Sequence, residues 1–425
     1  MVTAAEVEAL AIFGATIVLV AVFDRWRAPL AVAGAAATVA VGIVPPGSLL
    51  PHGWSATGSV IDWNALVVLA GLLLYAALLG ALGIPRYVAL RLAGRLKERP
   101  AALVATVAAL TFLLAMFLNS IAVVLVLVPV ALEISLELGL PAVPFVLAVL
   151  MSANLGGAAT PIGNPPNLIL ATSFALPFTG FLAAASLPAI AAFAATLAFL
   201  LRRFPRRPVT PGAPVSAPPV LERVPVAGAL AGFAAVVALL ATESSVGLPL
   251  WPIGLGAGAL AVALAGAARR RTLLADLDVS TIVFLLALFV VVGGLEASGT
   301  IAAAAGLVER TRITDPHQLG LLLLAGLGGI SAFIDNIPLA AVAAPLLASL
   351  GSATGTPPAR LAYPVVVGLG VGGNGTPIGS IGNVTGLSLA DRAGVRIGWG
   401  TYLRFGLIAL GIGFAAAGAV WLVVG

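Results

Sequence analysis

The chain has 425 residues, of which 61% are hydrophobic and 9% charged, with a formal net charge of +5 and no cysteine. So little charge cannot clothe a water-soluble domain of this size, which excludes a soluble globular protein. The missing cysteine excludes thiolate chemistry. The basic residues fall in short clusters between apolar runs, which excludes a nucleic-acid partner.

Apolar runs of roughly 20 residues suffice to cross a hydrocarbon core about 30 Å thick. In chain order they predict spans at about 7–23, 28–44, 63–83, 143–174 (interrupted) and 180–201. A second set follows at about 225–242, 249–268, 279–298, 361–390 (interrupted) and 401–424. Between the third and fourth spans of each half lies a further apolar region, 101–139 and 318–350, with a polar break in its middle. Each reads as a re-entrant hairpin that enters and leaves on one side.

With ten crossings and two such hairpins, 18 of the 21 Lys and Arg residues fall on one side, leaving Arg310, Arg312 and Arg360 on the other. The positive-inside rule makes the basic side cytoplasmic. The expectation is a multi-pass protein of the inner (cell) membrane with both termini outside. The opening MVTAAEVEAL has two glutamates and no basic segment, so no cleaved signal peptide is expected. Segment 208–224, rich in Pro, Ala and Ser, reads as an extended cytoplasmic linker between domains 1–207 and 225–425.

A shift of 216 residues superposes the halves. IDW (61–63) falls on LDV (277–279), and Gly83 on Gly299. FLNSIAVVLVLVP (117–129) falls on FIDNIPLAAVAAP (333–345), TPIG (160–163) on TPIG (376–379), and Asn167 on Asn383. Five crossings per repeat is odd, so the copies are inverted in the membrane. The fold class is therefore an all-α polytopic membrane protein. It has two inverted repeats of five transmembrane helices plus one re-entrant hairpin each, with broken helices at the midplane, a plan common in secondary transporters.

Four breaks are predicted: the hairpin tips at Asn119-Ser120 and Asp335-Asn336, and the interruptions GGAATPIGNPPN (156–167) and GGNGTPIGSIGN (372–383). Gly156, Gly157, Pro161, Gly163, Gly373, Gly375, Pro377 and Gly379 are expected to shape them, proline by lacking an N–H and glycine by its conformational freedom. Freed carbonyls suit cations, and half-helix N-termini suit electron-rich atoms.

Candidate substrate-binding groups are Asn119, Ser120, Asn154, Thr160, Asn164, Asn167, Asn336, Asn374, Thr376, Ser380 and Asn383. Asp335 is the only acid expected deep in a membrane element, and is the candidate for proton or ion coupling, with helix capping as its other reading. Glu296 lies near the outer end of its span. The tyrosines at 87, 363 and 402 and the tryptophans at 26, 54, 63, 251, 399 and 421 read mostly as interfacial anchors. His52 and His317 have no partner suggesting a metal, and no P-loop appears, so neither metal, cofactor nor ATP use is expected.

At NLGGAATPIGNPPN, SAFIDNIP and GGNGTPIGSIGN, and again at WGTYLRFG (399–406), the chain resembles the ion transporter superfamily. That group includes the arsenite permeases, the NhaD sodium/proton antiporters, the P-protein group and the divalent-anion:sodium symporters. The likeness covers both halves, with the arsenite permeases the nearest pattern. It implies a transporter and not an enzyme, whose hairpin tips and broken helices form the site. The partners it implies are membrane lipid, a second copy of the chain and a separate ATPase subunit. The pattern departs at the tips, where arsenite permeases tend to have Asn-Asp first and Asn-Asn second; here the lone acid stands in the second. The leading expectation is proton-coupled efflux of arsenite or antimonite. The alternatives are a sodium/proton antiporter and a sodium-coupled anion symporter, with H+ or Na+ as coupling ion.

Overall fold

The computed structural model describes residues 3–50, 59–203, 216–275 and 277–425. His52, Trp54, Arg206, Arg207 and linker residues 208–215 lie outside them. Twenty α-helices and no strand occur among the described residues. The first half holds α1 (Ala4–Val22), α2 (Arg27–Ala40), α3 (Trp63–Ala81), α4 (Ile84–Leu96), α5 (Pro100–Phe117), α6 (Ser120–Glu137), α7 (Ala142–Gly157), α8 (Pro165–Ser173), α9 (Phe178–Ala184) and α10 (Ser186–Arg203). The second holds α11 (Arg223–Val246), α12 (Leu250–Leu264), α13 (Gly266–Ala275), α14 (Val279–Ala297), α15 (Thr300–Glu309), α16 (Pro316–Ser331), α17 (Asn336–Thr354), α18 (Pro358–Gly372), α19 (Ile381–Arg392) and α20 (Trp399–Val424).

The 216-residue shift holds at the level of helix starts: Trp63 and Val279, Ile84 and Thr300, Pro100 and Pro316, Ser120 and Asn336, Ala142 and Pro358, Pro165 and Ile381. The same local physics operates at each pair. Asp62 and Asp278 cap α3 and α14 by accepting the Ala65 and Thr281 N–H groups at 2.9 and 3.0 Å. Gly83 and Gly299 turn the chain into α4 and α15 at φ 72° and 87°, a left-handed conformation that glycine adopts without strain.

The repeats interlock. Helix α3 packs along α12, and α2 along α14; α5 packs along α7, and α16 along α18; α10 lies on α20. Each half-helix beyond a break packs on the other repeat's hairpin, α8 on α17 and α19 on α6. Ion pairs between Arg27 and Asp278, Arg86 and Glu133, and Arg269 and Glu222 tie the basic loops to neighbouring segments of the same face. On the opposite face Arg360 Nη2 lies 3.0 Å from His317 Nε2 and 3.0 Å from the Gly425 carbonyl oxygen.

Several expectations change. Helices α4, α9, α13 and α15 were not anticipated. The span expected from 180 begins at Ser186, and the residues before it form α9, which is bent 114° from α8. The linker ends at Arg223, where α11 starts, and α11 runs on to Val246. That extension buries Glu243, so Asp335 is not the only acid within a membrane element. Tyr402 and Trp421 are buried and are not interfacial anchors. Trp421 Nε1 donates to the His317 carbonyl oxygen at 3.1 Å, and so closes α20 onto α16.

The glycines at the breaks also act differently from expectation. None of Gly156, Gly157, Gly163, Gly373, Gly375 and Gly379 has a positive φ. They permit close approach. A Cβ on Gly156 would collide with the Phe112 carbonyl, and one on Gly163 would stand 2.6 Å from the Ala115 carbonyl oxygen. On Gly375 it would stand 2.7 Å from the Ala332 Cβ. Packing of this kind brings helix backbones together inside a bilayer.

Candidate functional site

At the first tip, Asn119 caps α6, its Oδ1 accepting the Ile121 N–H at 2.9 Å and the Ala122 N–H at 3.4 Å. The tip is stitched to the first helix break: Ser120 N donates to the Gly163 carbonyl oxygen at 3.1 Å, and its hydroxyl to Asn164 Oδ1 at 3.3 Å. Thr160, at the break, donates its hydroxyl back to the Met116 carbonyl. Asn167 closes the loop with both amide protons, to the Gly157 and Thr160 carbonyl oxygens at 2.8 and 2.7 Å.

The second unit repeats the plan. Asn383 donates to the Gly373 and Thr376 carbonyl oxygens at 2.6 and 3.1 Å, and Thr376 to the Ala332 carbonyl. Ser380 caps α19 through Gly382 N at 3.2 Å. Asp335, half-buried, does the stitching that a backbone bond does in the first unit. One carboxylate oxygen accepts the Ile337 N–H at 2.9 Å and the other the Ile381 N–H at 2.8 Å. It therefore bridges the positive ends of α17 and α19.

The eleven neutral candidates are all buried. Asn154 and Asn374 join the second unit to α7: Asn154 Nδ2 donates to Asn374 Oδ1 at 2.9 Å and to Asn383 Oδ1 at 3.1 Å, and Asn374 Nδ2 donates to the Met151 carbonyl at 3.3 Å. The structure thus gathers all the candidates at two tip-and-break units and their junction. Most side-chain groups already have a protein partner, and among the described residues one that is sealed from solvent does not. Asn336 Nδ2 is sealed from solvent, and no acceptor reaches it among the described residues. A buried donor left unmade costs about 1–3 kcal/mol unless something supplies an oxygen.

Sequence reasoning missed two carboxylates near this apparatus. Glu243 accepts the Phe178 N–H at 3.1 Å through Oε1, and its Oε2 is buried with no partner among the described residues. Asp62 accepts the Thr172 hydroxyl at 2.5 Å. Burial pushes the Asp62 carboxyl above its ordinary value, against the opposing hydrogen bonds from Thr172 and Ala65. Its signal lay in the sequence, since IDW sits at the repeat offset from LDV.

An all-helical polytopic chain of two interlocked inverted repeats, with broken helices and hairpin tips around a buried polar layer, defines a membrane transporter of the secondary type. The chain belongs to the CitMHS citrate transporter family, whose model matches residues 17–356. It is 29% identical over 428 residues to an uncharacterized transporter of Mycobacterium tuberculosis, covering 98% of both chains. It is 30% identical to the magnetosome protein MamN of Paramagnetospirillum magneticum, again over 98% of both. Among solved structures, the Alcanivorax borkumensis YdaH transporter, described as having an unusual topology, shares the fold. The TM-score is 0.60 at 15% identity, over 95% of this chain and 97% of that one. The resemblance read from the motifs holds as far as a family of membrane transporters; the family that matches is the citrate transporter family, and the arsenite permeases named as the nearest pattern are not what these comparisons show.

Proposed function

We propose that this transporter moves a small, oxygen-rich, uncharged solute in exchange for protons, with trivalent arsenic or antimony hydroxide the first substrate to test. The observation that carries the reading is the buried Asn336 Nδ2 at the second hairpin tip, which has no acceptor among the described residues. The donor calls for an oxygen acceptor. Segments 117–122, 154–167, 331–338 and 372–383 contain no Lys, Arg or His, so no basic side chain of the tips or breaks stands ready to neutralise a full negative charge. Asp335, which bridges two helix starts, is the group we assign to proton exchange, since a carboxyl that gains or loses a proton there loosens or tightens the tip. The basic face is assigned to the cytoplasm, with both termini outside.

A second reading is supported by the family and by one structural feature. Helices α6, α8, α17 and α19 all begin at the breaks, and four helix N-termini favour an anion such as citrate. Purified protein in liposomes with an imposed pH gradient separates the two. Gradient-driven accumulation of arsenite that Asn336→Ala abolishes supports the first reading. Citrate uptake without arsenite uptake replaces it with the second.

A further inference from the structure

On the face opposite the basic loops the repeats leave a cavity of about 670 Å³, walled in part by Asp62, Thr172, Glu296 and one flank of α17. A second cavity, of about 280 Å³, lies on the basic side and reaches the first hairpin tip at Asn119. The repeat relates them. Asp62, Gly293 and Glu296 of the larger stand where Asp278, Ala77 and Gly80 stand in the smaller, each pair 216 residues apart.

The two cavities are not equivalent in charge. Asp278 lies 3.2 Å from the Arg27 guanidinium, which also donates to Thr281 Oγ1 at 2.7 Å. Asp62 has neutral partners, the Ala65 N–H and the Thr172 hydroxyl. The repeat mate of Glu296 is a glycine, so the smaller cavity has nothing to match it. Among the described residues the lining of the larger cavity holds no Lys, Arg or His. An ion pair nearly cancels at a distance, whereas uncompensated carboxylates on a concave low-dielectric wall add their fields.

We propose that the larger cavity is the outer entrance of the transport path and that Asp62 and Glu296 make it charge-selective. Cations concentrate in it, neutral solutes pass, and multiply charged anions are turned away. The α17 flank that walls the cavity, from Ala341 to Ala348, belongs to the helix that starts at Asn336. A solute admitted there lies alongside the helix that carries the unpartnered donor. The word entrance rests on the transporter reading above; the charge selection rests on the cavity alone.

The cysteine-free chain allows a direct test. Ala344→Cys puts one thiol on the cavity wall, and Ser352→Cys puts one on the exposed end of the same helix as a reference. Intact cells are treated from outside with a cationic and an anionic methanethiosulfonate of similar size. The cationic reagent is expected to modify the wall cysteine faster, with a ratio on the order of tenfold above the reference. Asp62→Asn with Glu296→Gln should return that ratio to the reference value; the asparagine keeps an oxygen that can cap α3. Glu296→Gln alone should lower it in part, with Asp62 untouched. Equal ratios at the two cysteines, or a ratio indifferent to both neutralisations, overturns the charge selection. Labelling of the wall cysteine only in inside-out vesicles overturns the entrance. Each outcome is read without measuring transport, so a wrong substrate leaves the test intact.

Discussion

Asn154 in the first repeat donates its amide to Asn374 in the second, and the repeat mates of these two residues, Gly370 and Ala158, also face each other. A Cβ on Gly370 would stand 2.5 Å from the Ala158 Cβ and 3.0 Å from the Asn154 carbonyl oxygen. The crossing of α7 and α18 is thus a pseudo-two-fold contact with a polar pair on one side and the smallest available pair on the other. Asn154→Ala should remove the donor to both Asn374 and Asn383, leaving two buried oxygens short at a cost of about 1–3 kcal/mol each. Asn154→Asp should fail to rescue, because it presents oxygen to oxygen. Thermal unfolding in detergent reads both, and an unchanged Tm in Asn154→Ala would remove this junction from the account of stability.

Glycines in this protein should divide sharply by sign. Gly156→Ala and Gly372→Ala drive a methyl into the Phe112 and Gly328 carbonyls, and backbone cannot step aside. Each is expected to cost about 1–3 kcal/mol, the usual range for overpacking. Gly94→Ala in α4 and Gly306→Ala in α15 meet open space inside a helix, and should stabilise by about 0.5–1 kcal/mol. Four Tm values decide the matter.

Asp335 can be tested as a cap and as a coupling group by different substitutions. Asp335→Ala loses both N–H acceptors and should lower Tm, by about 0.5–2 kcal/mol for the cap alone. Asp335→Asn keeps one amide oxygen as acceptor, so it should be the milder change in Tm. If the carboxyl exchanges the proton, Asp335→Asn nonetheless abolishes accumulation driven by a pH gradient while leaving substrate binding measurable.

The raised pKa of Asp62 has a defined sign in a stability profile. Burial favours the protonated form in the folded state, so the stabilisation is fully present below the ordinary value of 3.8. It is lost as pH rises from there through the folded value. Asp62→Asn should flatten that part of the Tm profile. Thr172→Val removes a hydrogen bond that opposes the shift, and should move the sensitive window upward.

Much of this architecture was legible because polar letters are rare in an apolar chain. TPIG, Asn167 and Asn383 recur at one offset, and no apolar coincidence mimics that. The short helices α4 and α15 were hidden by composition: the basic residues of α4 read as a loop cluster, and α15 is too short to read as a span. Glu243 was hidden because one acid at the end of an apolar run resembles the end of a span. The role of Gly156 could not be read locally, since the carbonyl it admits belongs to Phe112, on another helix. Asp62 and Asp278 look alike in sequence. What separates them is Arg27, 251 residues from Asp278, and that pairing exists only once the repeats are interlocked.

The exchange of helices between repeats has a consequence for how the protein is made. Helix α3 presents Gly71 to the backbone of Gly254 in α12, at a distance only two glycines permit. When the first half leaves the ribosome, that seam has no occupant but lipid, and the hairpin arm α6 still lacks α19. Neither half can finish its own fold, so the nascent chain must hold an unfinished surface in the bilayer until its last helices are inserted. Two half-length chains made together should therefore assemble into one protein, while either made alone should be cleared by quality-control proteolysis.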